Sequence, residues 1–141
     1  MFQKFEIRDY TAAIFILIGA TLRFYGFSDW SLSNDELSAL SRTNFSSFSE
    51  LVDKGIWVDG HPALIQIFEY YWVHLFGNSA FTIRLPFVLI SLGSCIYFYR
   101  LLAVWLNKNA ALIGLALFVP NYLFVLYAQI ARPYTAGLFF V

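Results

Sequence analysis

The chain has 141 residues, of which 60% are hydrophobic, 21% aromatic and only 13% charged. A soluble domain usually has about 25% charged residues, so this composition excludes an ordinary soluble domain and indicates a polytopic membrane protein. The nine basic residues cancel the nine acidic ones and no basic stripe is present, so nucleic-acid binding has no electrostatic support. The single cysteine, Cys95, excludes an internal disulfide framework.

The first apolar run, residues 11 to 28, follows a short charged head and contains one charge, Arg23. The head includes acidic residues and no small-x-small cleavage site follows the run. We therefore interpret the run as an uncleaved transmembrane helix rather than a signal peptide. Arg23 is near the far end, where an arginine commonly extends to the membrane interface; the alternative is that it points into the helix bundle.

Residues 29 to 82 hold seven of the nine acidic residues and only two of the basic ones. Ser33 and Glu36 have the spacing of a capping box, which predicts an amphipathic helix that is broken near Asn44. A second amphipathic helix is predicted from about Pro62 to Phe76. Its polar stripe, modest length and aromatic rings favour a helix in the membrane interface over one that crosses the membrane.

The later apolar runs predict a second transmembrane helix over 83 to 106, a third over 110 to 131 and the start of a fourth over 135 to 141. Pro120 followed by Asn121 predicts a kink in the third helix. The last run stops without flanking charges or a cap, so we expect residues 1–141 to be the N-terminal part of a longer protein.

Charge placement favours one orientation in the membrane. If both loop helices are interfacial, four basic residues lie at the cytoplasmic side and the acidic loop lies outside, as the positive-inside rule requires. These residues are Lys4, Arg8, Arg100 and Lys108. The predicted fold class is an all-α, multi-pass integral membrane protein with a cytoplasmic N-terminus. It has three complete transmembrane helices plus the start of a fourth, and two amphipathic interfacial helices in a long external loop.

Charged residues that are capable of chemistry are predicted to meet at the external face. Asp35 and Glu36 follow the first helix, Arg84 begins the second and Arg132 ends the third. A carboxylate can act as a general base, and an arginine can bind a phosphate through two parallel hydrogen bonds. A transferase that uses a lipid-phosphate donor requires both groups. Each residue also has a structural alternative, because acids favour helix N-termini and arginines often anchor helix ends at headgroups.

Metal chemistry has little support. The two histidines lie in different segments and form no metal-ligand cluster, so no metal site and no cofactor is predicted. A divalent metal is compatible with the acids of the loop, but nothing in the sequence supports one.

Five short motifs occur along the chain in a characteristic order. They are Asn34-Asp35-Glu36, Gly60-His61-Pro62-Ala63-Leu64, Leu75-Phe76-Gly77, Ile83-Arg84-Leu85-Pro86, and Leu126-Tyr127 followed by Ala131-Arg132-Pro133-Tyr134. In order and approximate spacing, these motifs resemble the N-terminal module of the GT-C glycosyltransferases. They are most similar to the superfamily of protein mannosyltransferases and lipid A aminoarabinose transferases. Ala63 stands where this superfamily has the second proline of a His-Pro-Pro motif.

The resemblance implies an extracytoplasmic enzyme that transfers a hexose or pentose from a polyprenyl-phosphate donor to a protein, lipid or glycan acceptor. It implies that Asp35 and Glu36 are catalytic, with Asp35 as the base or as the group that orients the acceptor. It further implies four substrate-binding residues: His61, Arg84, Arg132 and Tyr134. Because the family's catalytic module includes later helices, this portion alone is expected to be inactive.

The alternative is a non-enzymatic membrane subunit or transporter fragment whose acidic external loop binds a partner. Transporters usually place charged pairs near the middle of the membrane, at broken helices. Here the candidate residues are predicted at helix ends, which favours the transferase.

Overall fold

The computed structural model describes residues 7–58 and 62–140, and this part of the chain is helical, without a strand. The helices are α1 (Ile7–Phe24), α2 (Asn34–Ser41), α3 (Phe48–Glu50), α4 (Ala63–Phe76), α5 (Ala80–Trp105), α6 (Lys108–Phe118), α7 (Tyr122–Ala128) and α8 (Pro133–Phe140). A 3₁₀ turn, Arg42–Asn44, follows α2, and a π-helical segment, Leu51–Ile56, continues α3. The predicted all-helical class is confirmed.

The prediction of three complete transmembrane helices is wrong. Within the described ranges, α5 alone is a continuous helix long and apolar enough to cross a membrane, and a second span exists only if α6 and α7 count as one. The first run is not such a span, because its helix begins earlier than predicted and includes Arg8 and Asp9. Together with Arg23, α1 therefore carries three charged residues. The third run is not one continuous span, because its two helices, α6 and α7, meet at an angle of 67°. The start of the fourth is α8, which has only eight residues.

The break in the third apolar run lies where Pro120 and Asn121 were expected to kink it. Proline has no amide hydrogen, so the helical hydrogen bonds cannot continue through it. The Asn121 side chain then accepts a hydrogen bond from the Leu123 amide at 3.1 Å and caps the new helix, α7. The predicted kink is therefore confirmed, and it is large enough to divide the run into two helices.

The acidic loop folds into short helices, as predicted. Ser33 and Glu36 form the expected capping box at the start of α2, and the helix breaks at Arg42–Asn44. Helix α4 covers nearly the predicted second helix and ends at Gly77, whose φ of 90° is one that glycine adopts readily. The Gln66 side chain donates to the Ala39 carbonyl at 3.2 Å, which ties α4 to α2.

Helix α5 is the centre of the structure, and α1, α6, α7 and α8 pack against it. The apolar core between α1, α5 and α6 is formed by Ala12, Cys95, Leu115 and Val119. The α5–α6 contact depends on Gly114, because a Cβ atom there would overlap the Leu102 side chain. At one end of the bundle Lys108 pairs with Asp9 at 3.3 Å, so α1 and α6 begin on the same side.

Arg23 points into the helix bundle, the second of the two alternatives considered for it. Its side chain is fully buried, and its Nε atom donates to the Ser91 hydroxyl at 2.7 Å. Its Nη1 atom donates to the carbonyls of Gly19 and Val119. The Val119 carbonyl lies at the break before Pro120, so Arg23 joins α1 and α5 to the end of α6.

Candidate functional site

A buried ion pair between Arg84 and Glu36 forms the base of the candidate site. The Arg84 Nε and Nη2 atoms each donate to one Glu36 carboxylate oxygen at 2.8 Å, which is the parallel two-bond geometry typical of strong arginine–carboxylate pairs. The remaining N–H groups of Arg84 donate to backbone carbonyls of the α1–α2 connection: Phe27, Trp30 and Ser31. All five N–H groups of this guanidinium are therefore used within the protein.

Glu36 is equally well bonded. Its carboxylate also accepts from the Ser33 amide and the Ala131 amide, both at 2.9 Å, and the residue is 1% exposed. Burial alone would raise the pKa of the Glu36 carboxyl. The hydrogen bonds from Arg84, Ala131 and Ser33, together with the charge of Arg84, outweigh burial and hold this pKa below its ordinary value. Glu36 thus remains a carboxylate and joins α2, α5 and the α7–α8 connection.

Asp35 is the exposed member of the acidic pair. It lies in the first turn of α2, beside the buried Glu36, and its Oδ2 atom accepts a hydrogen bond from the Tyr134 hydroxyl at 3.2 Å. Tyr134 is 43% exposed and lies in the first turn of α8. A carboxylate that is both oriented and open to solvent is able to accept a proton from an incoming substrate.

Arg132 lies directly between Ala131, which bonds Glu36, and the α8 helix. It is 3% exposed, and its Nε atom is buried without a hydrogen-bond partner among the described residues. A buried guanidinium nitrogen without a partner is unusual, because burying an unpaired polar group costs free energy. Such a group is able to bind an anion.

Two cavities border members of this group, one at Glu36 and Arg84 and the other at Tyr134. One, of about 440 Å³, lies between the α1–α2 connection and α7 and touches Glu36 and Arg84. Its other walls are largely apolar, with Tyr122, Val125 and Leu126 on α7. The other, of about 220 Å³, lies between α5, α7 and α8 and is bordered by Tyr134.

Five of the six residues singled out from the sequence are thus gathered in one region: Asp35, Glu36, Arg84, Arg132 and Tyr134. The sixth, His61, lies outside the described residues. In the part of the chain that the structure describes, no group of three His, Cys, Asp or Glu residues is placed to hold a metal ion.

Sequence reasoning missed the backbone partners of the site. The amide of Ala131 and the carbonyls that surround Arg84 belong to no motif, because a backbone group has no signature in the residue type that carries it. The capping box predicted one of these bonds, the one from the Ser33 amide to the Glu36 carboxylate, but it carries no information about Arg84 or Ala131.

Comparison with models of protein families, with curated proteins and with solved structures yields no match to this chain. The resemblance to GT-C glycosyltransferases therefore rests on the five sequence motifs alone.

Proposed function

We propose that this chain contributes the catalytic base and the phosphate-binding arginine of a glycosyltransferase that uses a polyprenyl-phosphate-linked sugar. The observation that carries the proposal is the pairing of exposed Asp35 with Tyr134, next to a buried arginine, Arg132, whose Nε atom has no hydrogen-bond partner among the described residues. A base beside a cation is what transfer from a sugar phosphate requires, because the acceptor loses a proton and the leaving group gains negative charge.

The proposed reaction uses the negative charge of Asp35 and the positive charge of Arg132. Asp35 accepts the proton of the acceptor hydroxyl as its oxygen forms a bond to the anomeric carbon of the sugar. The bond between that carbon and the phosphate oxygen breaks, and the electron pair leaves with the phosphate. Arg132 stabilises the negative charge that develops on the phosphate, which lowers the barrier most if the donor groups are already in place.

Arg84 and Glu36 have a different part in this proposal. All N–H groups of Arg84 are bonded, so we assign the donor phosphate to Arg132 and a positioning role to Arg84. Glu36 fixes the first turn of α2 to α5 and to the Ala131 amide. Because Asp35 is the adjacent residue of that turn, the same contacts set the position of its carboxylate.

The larger cavity supports a lipid-linked donor over a water-soluble one. Its walls on α7 are apolar, and the Glu36–Arg84 pair that borders it is already fully hydrogen-bonded within the protein. Such a pocket suits a ligand with an apolar body. A prenyl chain has such a body, whereas a nucleotide has phosphates, ribose hydroxyls and a base edge that would need hydrogen-bond partners.

The proposal is tested with the protein as its gene encodes it, reconstituted in lipid vesicles with membranes of the source cells as acceptor. The substrates are farnesyl-phosphate-linked mannose, glucose and 4-aminoarabinose, compared with the corresponding nucleotide sugars. We expect release of farnesyl phosphate from at least one lipid-linked donor and none from the nucleotide sugars. Consumption of nucleotide sugars, or of no donor at all, would contradict the proposal and favour the non-enzymatic membrane subunit.

A further inference from the structure

The smaller cavity differs from the rest of the surface in the groups that line it. It is bordered by two tyrosine rings and two further hydroxyl groups, with Phe124 and Leu138 completing the walls. The two rings, Tyr127 and Tyr134, have centroids 4.9 Å apart and planes inclined at 52°. Exposed rings combined with several hydroxyls are suited to a ligand that has both apolar faces and many oxygen atoms.

Ser91 gives this cavity a strong hydrogen-bond donor. Its oxygen accepts from Nε of the fully buried Arg23 at 2.7 Å. Within the described residues the Ser91 hydroxyl makes no bond as a donor, so its proton is available to an occupant of the cavity. A hydroxyl that accepts from a charged group is polarised, and polarised chains of hydrogen bonds strengthen one another.

Thr135 adds an acceptor on the opposite wall. Its hydroxyl donates to the Tyr127 carbonyl at 2.7 Å, which leaves its oxygen lone pairs for an occupant. The cavity therefore has a donor from α5 and an acceptor from α8. A hydrocarbon chain would use neither the Ser91 proton nor the remaining Thr135 lone pairs, so it would gain no hydrogen bond in this cavity.

The position of the cavity connects it to the candidate base. Tyr134 borders the cavity with its ring, and its hydroxyl donates to Asp35. A ligand in the cavity is therefore separated from the Asp35 carboxylate by one side chain. At about 220 Å³ the cavity is small, which excludes a long chain and suits a single ring.

We propose that the cavity between Ser91, Tyr127, Tyr134 and Thr135 binds the sugar ring of the donor. The inference rests on the proposed function and adds which surface recognises the transferred group. The ring lies against the tyrosines, and its hydroxyls donate to Thr135 and accept from Ser91. The prenyl chain occupies the larger cavity, on the other side of α7.

The test measures binding of two probes that differ only in the sugar. Farnesyl-phosphate-linked mannose and farnesyl phosphate are titrated against the gene-encoded protein in detergent, and dissociation constants are read from tryptophan fluorescence. We expect the wild type to prefer the sugar-bearing probe by at least about tenfold. If mannose is the wrong sugar, the glucose and aminoarabinose analogues take its place in the same comparison.

The decisive variant is Tyr127→Leu, which removes one ring and its hydroxyl from the cavity. It is expected to reduce the preference for the sugar-bearing probe to near one and to leave the affinity for farnesyl phosphate unchanged. The matched control is Tyr25→Leu, since Tyr25 is 84% exposed and is not among the residues that line this cavity. This control should keep the preference of the wild type.

The outcomes separate the inference from the proposed function. If Tyr127→Leu keeps the preference while folding normally, or if the wild type transfers sugar without preferring the sugar-bearing probe, the inference is wrong and the proposed function stands. If neither probe binds the wild type, both are wrong. Leu138→Trp, which fills the cavity from α8, provides a second variant should Tyr127→Leu fail to fold, and it should abolish the preference in the same way.

Discussion

Arg84 and Glu36 are 48 residues apart in the chain, yet their side chains meet through two hydrogen bonds of 2.8 Å in the interior. Around this pair the backbone supplies every remaining partner, with three carbonyls for the arginine and two amides for the carboxylate. The pair therefore determines where the α1–α2 connection, α5 and the α7–α8 connection lie relative to one another. The exposed Asp35 is held in place by this arrangement.

Replacing Asp35 by Asn tests the base. The amide cannot accept the proton of the acceptor, so we expect sugar transfer to fall by about a hundredfold or more at a saturating acceptor concentration. Donor binding and thermal stability should stay near those of the wild type, because Asp35 is exposed. Asp53→Asn is the control, since it removes another exposed acid of the same loop. Near-normal transfer by the Asp35 variant would show that the base is elsewhere.

Replacing Arg132 by Gln tests the phosphate-binding group. Because Arg132 is buried and its Nε has no partner among the described residues, its charge costs free energy in the unliganded protein. We expect the variant to unfold at the same temperature as the wild type or higher, while its affinity for farnesyl phosphate falls by about tenfold or more.

The comparison variant for this experiment is Arg100→Gln, which removes an exposed arginine from α5 and should change neither quantity. An Arg132 variant that loses stability but binds farnesyl phosphate normally would assign this arginine to the fold and not to the donor.

Replacing Glu36 by Gln tests the buried pair. Gln retains the shape of the side chain and its capping oxygen, but it leaves the charge of Arg84 buried and unpaired. Removing one partner of a buried pair typically costs about 3–5 kcal/mol of the free energy of unfolding. Denaturant unfolding in detergent measures this difference. Glu50→Gln, which breaks the exposed pair with Lys54, should have a much smaller effect.

The pH dependence of stability provides an independent check of Glu36. Its pKa is lower in the folded protein than the ordinary value of 4.5, so the folded state favours the charged form. The stabilisation is complete above the ordinary value and is lost as the pH falls through the folded value. We expect the free energy of unfolding to decline below about pH 4.5 in the wild type, and to decline less steeply in Glu36→Gln. Equal slopes in both proteins would contradict the charged pair.

Cysteine labelling tests whether α5 crosses a membrane. Val58 and Leu106 are exposed and lie beyond opposite ends of the helical bundle, the first in the acidic loop and the second just after α5. With Cys95 replaced by Ala, single cysteines at these positions should react with a membrane-impermeant maleimide from opposite sides of sealed vesicles. Reaction from the same side would place α5 within the protein or along the membrane surface.

Local features of the fold were predictable from the sequence because they depend on local chemistry. The capping box at Ser33, the extent of α4 and the break at Pro120 are each set by a few neighbouring residues. Membrane spans were predicted less well. Counting apolar residues left Arg8 and Asp9 outside the first helix, whereas the structure continues the helix through them and pairs Asp9 with Lys108.

The sequence predicted which residues belong to the candidate site, but not what each of them does there. Acids and arginines separated by up to 97 positions were expected to lie together, and Glu36 and the segment that contains Arg132 are in contact through the Ala131 amide. The sequence could not show that Arg84 is saturated with hydrogen bonds while Arg132 is not. That difference depends on which backbone carbonyls turn toward each guanidinium, and on the folded path of residues 27 to 31.

The bend at Pro120 has a consequence for the end of α1. By redirecting the chain, it brings Gln129 to the point where α1 ends. The side-chain Nε2 atom of Gln129 donates to the carbonyls of Leu22, Arg23 and Tyr25. The Leu22 and Arg23 carbonyls belong to the last turn of α1, where acceptors have no partner within the helix, and Tyr25 follows that turn. The end of α1 is thus capped by the residue that ends α7, so Gln129 fixes α7 to the start of the connection that encloses Arg84.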